Sequence, residues 1–150
     1  MFTMGPMQTE WIDILPKFNQ TNGNLKDENG YCCLGVACEV LGPRIGVTLR
    51  EFRDFIEGVD GDDDYEDVYF KAFTEDDNSQ ELLPGDIWKS LGLRSPVGNI
   101  NYEECPEAVD YFGDNDQELS LADMNDNGYT FIEIQEFVRR YPRAVFTRSV

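Results

Sequence analysis

Residues 123–128, DMNDNG, have the residue types and spacing of the first half of a calcium-binding loop. Asp123, Asn125 and Asn127 would supply oxygen ligands at alternate positions, and the following glycine would allow a sharp turn. The second half does not fit, because Ile134 stands where such a loop needs a bidentate glutamate. We therefore predict no metal centre, with these three residues as a weak candidate only, and expect a turn that leads into the next helix.

A second set of alternating carboxylates, Asp60, Asp62 and Asp64, is followed by Tyr65 where a calcium loop requires glycine. This spacing is compatible with a weak, solvated cation at most. Divalent cations would relieve repulsion among so many carboxylates in a general way, without a built site.

The chain contains no histidine, so a general base near neutral pH would have to be a carboxylate of perturbed acidity. No serine occupies a nucleophile elbow, and no glycine-rich loop carries a phosphate-binding lysine. We expect a protein that is not an enzyme and needs no cofactor.

The four cysteines have neither the repeated spacing of a zinc site nor a histidine beside them. A cysteine nucleophile would also want a histidine partner and electropositive surroundings. We expect buried free thiols in a reducing compartment. The residues are Cys32, Cys33, Cys38 and Cys105.

The net charge of −18 lies entirely in the middle of the chain. Residues 57–126 hold 21 acidic residues against Lys71, Lys89 and Arg94, whereas the flanks hold 9 acids and 9 bases. This concentration predicts an anionic surface with a cationic partner, which excludes direct contact with nucleic acid or an anionic membrane. The plain alternative is a solvated face that only keeps the protein soluble.

At 150 residues the chain suits a single domain, 1–150, with an acidic insertion at about 58–81 and a second acidic run at about 103–118. It has no long apolar run, and its first residues lack the regions of a signal peptide. We expect an intracellular protein.

The periodicity predicts a mainly helical α+β domain of about five short helices with a small β-hairpin or sheet. Predicted helices cover 9–15, 32–41, 49–57, 83–93, 119–124 and 131–141, the last beginning with a capping box at Thr130 and Glu133. Residues 68–73 have the composition of a strand, Asn22-Gly23 is a hairpin signal, and Asn29-Gly30 predicts a second turn.

Four segments resemble a family of small uncharacterised proteins common in bacteriophage genomes. They are Trp11 with Leu15, YCCLGVAC at 31–38, LPGDIWKSLGL at 83–93 and NDNGYTFIEI at 125–134. The resemblance implies a phage protein acting in the host cytoplasm, of unknown activity. The chain departs from the family in its two acidic runs, which is where its net charge lies.

Together these patterns predict a host-takeover or anti-defence factor that binds and inhibits a basic host protein, by imitating DNA or otherwise. The alternative is a small-ligand or divalent-cation-binding module, which for an anionic nucleotide would need Arg44, Arg50, Arg53 and the C-terminal arginines to converge. The oligomeric state is open. The candidate partner-binding residues are Asp60, Asp62, Asp63, Asp64, Glu66, Asp67, Glu75, Asp76, Asp77, Glu103, Glu104 and Glu107.

Overall fold

A computed structural model describes residues 2–113 and 117–150 as an α+β fold, which confirms the α+β part of the prediction; with 38% helix and 20% strand the protein is less helical than expected. A helical body carries two small antiparallel sheets. The helices are α1 Pro6–Ile14, α2 Cys33–Ile45, α3 Ile87–Ser90, α4 Leu121–Asp126, α5 Phe131–Arg140 and α6 Pro142–Val145, with 3₁₀ turns at Leu15–Lys17 and Pro106–Phe112. The strands are β1 Lys26–Asp27, β2 Gly30–Tyr31, β3 Thr48–Ile56, β4 Tyr65–Phe73 and β5 Asn78–Ser79.

The cysteine-rich run forms the first half of α2, at the centre of the core. Its apolar composition is explained by burial, because residues 32–38 are all inaccessible or nearly so. Trp11 of α1 packs against this helix and donates its indole N–H to the carbonyl of Cys33 at 2.9 Å. Gly35 allows α2 to lie directly on the preceding loop, since a Cβ there would stand 1.7 Å from the carbonyl oxygen of Leu25.

The capping box that the sequence predicts at the start of α5 is confirmed. The Thr130 hydroxyl accepts a hydrogen bond from the amide of Glu133, and the Glu133 carboxylate accepts one from the amide of Thr130. Each side chain thus satisfies an amide that would otherwise lack a partner in the first turn. The buried face of α5 contains Phe131, Ile134 and Phe137, as predicted.

The predicted helix at 49–57 is wrong, because this segment is strand β3. β3 pairs with β4 residue for residue, from Thr48 opposite Phe73 to Ile56 opposite Tyr65, without a bulge. The apolar residues of β3 have a spacing that also fits a helix, which is why a helix was predicted. The predicted strand at 68–73 is confirmed, and it begins earlier, at Tyr65. β5 adds a third strand at the base of β4, which leaves β3 at the edge of the sheet.

Two smaller predictions also differ from the structure. Within the predicted helix at 83–93 only Ile87–Ser90 is helical, because Pro84 and Gly85 form a turn first, in which Gly85 has a φ of 55°. The predicted turn at Asn22-Gly23 does not join two strands; the small hairpin between β1 and β2 lies at the second predicted turn, Asn29-Gly30. In the described ranges, no helix combines the length and the apolar character that crossing a membrane requires.

Candidate functional site

The β3–β4 hairpin is held to the body only at its base. There Ala72 is buried, and the Lys26 ammonium of β1 lies 4.6 Å from the ring centre of Phe70. Towards the other end every side chain is exposed or half-exposed, on both faces of the ribbon. The hairpin therefore projects from the helical body, and its far end presents its residues to solvent.

This far end, residues 54–67, holds eight acidic residues and no basic one, and we refer to it as the acidic tip. Its turn is held by backbone contacts: the Asp64 carboxylate accepts a hydrogen bond from the amide of Gly58 at 2.8 Å, and the Val59 carbonyl accepts one from the amide of Asp62 at 3.1 Å. The acidic residues are Asp54, Glu57, Asp60, Asp62, Asp63, Asp64, Glu66 and Asp67.

Exposed apolar side chains are interleaved with these carboxylates. Phe55, Val59 and Tyr65 are 66%, 73% and 59% exposed, although burying such groups is favourable. Next to the tip, Phe52 stacks on Tyr69 with ring centres 5.3 Å apart. Rigid aromatic groups on a charged surface are typical of protein interfaces, and this feature was missed from the sequence because β3 was assigned to an amphipathic helix.

The other predicted partner-binding residues do not join the acidic tip. Glu75, Asp76 and Asp77 follow the C-terminal end of β4 at Phe73, which lies about 20 Å beyond Asp67 at the edge of the tip, at 3.3 Å per residue. Asp77 is structural there, because its carboxylate accepts hydrogen bonds from the amides of Asn78 and Gly85.

Glu103, Glu104 and Glu107 lie on a separate segment, which leads into the 3₁₀ turn Pro106–Phe112. All three are exposed, and Glu104 forms a long ion pair of 3.9 Å with Arg143. The single anionic surface expected from the sequence is therefore divided into separate patches. Asp114 and Asp116, which belong to the same acidic run, lie outside the described residues.

The structure does not arrange residues 123–128 as a calcium loop. Asp123 and Asn125 lie in α4, where positions two apart point to opposite sides of the helix. Asn125 is fully buried, and its amide is used within the protein. Asn127 donates to the Glu118 carboxylate at 2.8 Å. Among the residues that the structure describes, no group of three or more acidic, cysteine or histidine side chains is placed to hold a metal ion.

The cysteines are free thiols in the core, as predicted. Burial raises the pKa of the Cys32 thiol to about 11 and the pKa of Cys33 and Cys38 well above the ordinary value. Low thiolate content makes these groups poor nucleophiles at neutral pH.

Only some of the arginines that a nucleotide site would need come together. Arg44 pairs with Glu10 on α1, and Arg53 pairs with Glu51 and Glu66 on the hairpin. The C-terminal Arg139, Arg140 and Arg143 line one open cleft of about 360 Å³ together with Glu107, and neither Arg44 nor Arg53 lines it. Another cleft, of about 310 Å³, lies between the start of α2 and α4 and is lined by Asp123, Asp126 and Glu81, which disfavours an anionic ligand there.

Fold and surface together define an α+β protein with a helical body and a projecting acidic hairpin. The chain belongs to the family described as Domain of unknown function (DUF8296), whose profile matches residues 6–141. The match runs from the start of α1 to the end of α5. No curated protein and no solved structure matches the chain at a significant level.

Proposed function

We propose that this protein is a non-enzymatic interaction protein whose acidic tip binds a basic partner protein, one that normally holds nucleic acid. The observation that carries the proposal is the placement of eight acidic residues, with no base among them, on the exposed end of a projecting hairpin. A narrow ribbon of this kind can enter a groove. Its charge would steer it towards a positively charged one.

The apolar residues of the tip support a protein partner over a free cation. Carboxylates confer attraction at a distance and specificity, whereas most of the binding energy of an interface comes from a few buried aromatic anchors. Phe55 and Tyr65 stand among the carboxylates and are exposed enough to act as such anchors.

The resemblance to phage proteins suggests that the partner is a protein of the host cell. A phage protein that occupies the nucleic-acid groove of a host protein would inhibit it, as a host-takeover or anti-defence factor does. In the case of DNA imitation, the carboxylates of the tip would occupy the positions in the partner's groove that DNA phosphates normally occupy. Imitation of DNA predicts that binding weakens steeply with salt and that duplex DNA competes for the same groove.

The test compares capture of host proteins by two variants of equal charge. In the tip variant, Asp62→Asn, Asp63→Asn and Asp64→Asn neutralise the turn while keeping the oxygen at position 64 that accepts from Gly58. The matched control neutralises three exposed glutamates elsewhere, with Glu28→Gln, Glu39→Gln and Glu136→Gln. Each tagged protein is incubated with nuclease-treated host lysate at low and high salt.

We expect the parent and the control to retain a basic protein that salt or added duplex DNA displaces, and the tip variant to lose it. The partner is then purified and its affinity for all three chains is measured directly. Equal affinity of the tip variant and the control for that partner would contradict the proposal. Retention of the partner in the presence of excess duplex DNA would exclude imitation of DNA while leaving the interaction.

A further inference from the structure

The outer edge of β3 lacks a neighbouring strand. The sheet order places β4 on one side of β3, and no backbone hydrogen bond joins residues 48–56 to anything outside the sheet within the described ranges. An unbroken nine-residue edge is a template for another strand. Proteins usually block such an edge with charged side chains, proline or a bulge; β3 has no proline and no bulge, and its four charged residues are two of each sign.

The ladder between β3 and β4 contains two unfavourable pairs. Arg50 stands directly opposite Lys71, and Asp54 stands directly opposite Asp67. Like charges in directly opposed positions destabilise a sheet, and the two pairs lie on the same face because their positions in β3 differ by an even number. The isolated hairpin therefore carries one doubly positive and one doubly negative row across the same face.

We propose that two copies of this chain associate through the outer edges of β3, antiparallel, with Phe52 of one copy opposite Phe52 of the other. In this register Arg50 faces Asp54 of the second copy, and Asp54 faces Arg50. The positive pair Arg50 and Lys71 of each copy then lies beside the negative pair Asp54 and Asp67 of the other copy. Both unfavourable pairs of each hairpin gain a neighbour of opposite charge.

The opposite face of the ribbon is complementary in the same register. Glu51 faces Arg53 of the second copy and Leu49 faces Phe55, so charged residues meet opposite charges and apolar residues meet each other. Shifting one strand by two residues relative to the other would place Glu51 opposite Glu51 of the second copy. The same shift in the other direction would place Arg53 opposite Arg53. Charge complementarity thus selects a second copy, in a single register.

The arrangement is a two-fold symmetric contact that joins two three-stranded sheets into one of six strands. The start of β3 is open to it, because Thr48 is exposed and a side chain at Gly46 would meet nothing within 4 Å. The antiparallel order sends the two acidic tips to opposite ends of the joined sheet. The turn residues 57–65 then remain exposed, whereas Asp54 and Phe55 enter the contact, so a dimer leaves Tyr65 as the free aromatic residue of the tip. The association is inferred independently of the proposed function.

The test exploits the charge pairs. Arg50→Asp would set acid against Asp54 of the second copy, and Asp54→Arg would set base against Arg50. Within its own hairpin each change places opposite charges across from Lys71 or Asp67, which offsets the loss of the Arg50 guanidinium 4.6 Å from the ring centre of Phe73 or of the Asp54 hydrogen bond to Tyr69. Loss of association in either variant therefore does not report unfolding, and circular dichroism would verify this. Lys17→Asp, which makes the same charge change as Arg50→Asp at an exposed site off the hairpin, is the control.

Sedimentation velocity is run from about 1 to about 200 µM, the weak range of a small interface, in about 0.15 M salt, where the Debye length is about 8 Å. We expect a concentration-dependent dimer for the parent and the Lys17→Asp control. Each single hairpin variant should raise the dissociation constant by at least about tenfold. An equimolar mixture of the two variants should form a heterodimer, and the chain carrying both changes should dimerise again.

A parent chain that stays monomeric over the whole concentration range would overturn the proposal. A dimer that neither variant weakens would also overturn it, because the contact would then lie elsewhere. The mixture is the decisive sample, since only direct opposition of positions 50 and 54 across two copies predicts that two non-associating variants associate with each other.

Discussion

The side-chain oxygen of Asn125 accepts a hydrogen bond from the backbone amide of Cys33 at 3.2 Å. The same oxygen accepts from the side-chain amide of Gln20 at 3.0 Å, and the Asn125 amide nitrogen donates to the carbonyl of Thr21 at 2.7 Å. One buried side chain therefore joins α4 to the loop that precedes α2 and to α2 itself. Asn125 of the DMNDNG motif thus has a structural role, and its presence is explained without a metal ion.

Replacing Asn125 should destabilise the fold strongly. Asn125→Ala removes three hydrogen bonds and leaves the buried amide of Cys33 without an acceptor, so we expect a loss of about 3 kcal/mol in the free energy of unfolding. Urea denaturation followed by circular dichroism measures it. Asn127→Ala is the matched control, because Asn127 is exposed and its side chain hydrogen-bonds to Glu118 at the surface, and it should change stability by less than about 0.5 kcal/mol. Equal effects of the two changes would contradict this structural role.

Gly35 is the position in the YCCLGVAC run where a side chain has no room. Gly35→Ala would normally favour a helix, by about 1 kcal/mol at an exposed site. Here the added methyl group would overlap the carbonyl of Leu25, so we expect the opposite sign and a loss of about 3 kcal/mol or more. Gly46→Ala probes a glycine with open space but a positive φ of 79°, and should cost only about 1 kcal/mol from backbone strain. Thermal melting of both variants separates close approach from strain.

The helices that could be predicted from the sequence are those that pack in the core, because burial determines the spacing of their apolar residues. α2 is buried on most sides and α5 on one face, so the spacing of their apolar residues predicts both helices. The capping box at Thr130 and Glu133 is a local signal and could also be predicted from the sequence. β3 was mispredicted because its hairpin is exposed on both faces, so no core selects alternation of apolar and polar residues. The role of Asn125 could not be predicted, since its partners lie about a hundred positions away in the chain.

The buried thiols make stability depend on alkaline pH. Burial disfavours the thiolate and raises the pKa of Cys32 from the ordinary 9.0 to about 11 in the folded protein. The unfolded state therefore loses its proton first, and the stability contributed by the neutral thiol is complete below about pH 9 and is lost as pH rises towards 11. Cys32 alone should cost about 1 kcal/mol between pH 8 and pH 10, and Cys33 and Cys38 act in the same direction.

Urea midpoints at pH 8 and pH 10 measure this dependence, with Cys32→Ser as the control. Serine preserves the cap at the start of α2, where the Cys32 sulfur accepts from the amide of Gly35, and it does not ionise in this range. The pH-dependent loss should therefore be smaller in the variant by about 1 kcal/mol. An identical loss in both proteins would show that Cys32 does not contribute.

The acidic tip should be separable from the fold. Arg53 and Val68 are directly opposed in the ladder, so residues 54–67 can be replaced by Asn-Gly, a two-residue turn suited to joining antiparallel strands. The deleted residues contact solvent on both faces, and the change removes eight acids whose mutual repulsion opposes folding. We expect the shortened protein to unfold within about 1 kcal/mol of the parent and to lose the basic partner completely. A molten or unfolded product would show that the tip stabilises the body, and retained binding of the partner would move the interface to the run at Glu103–Glu107.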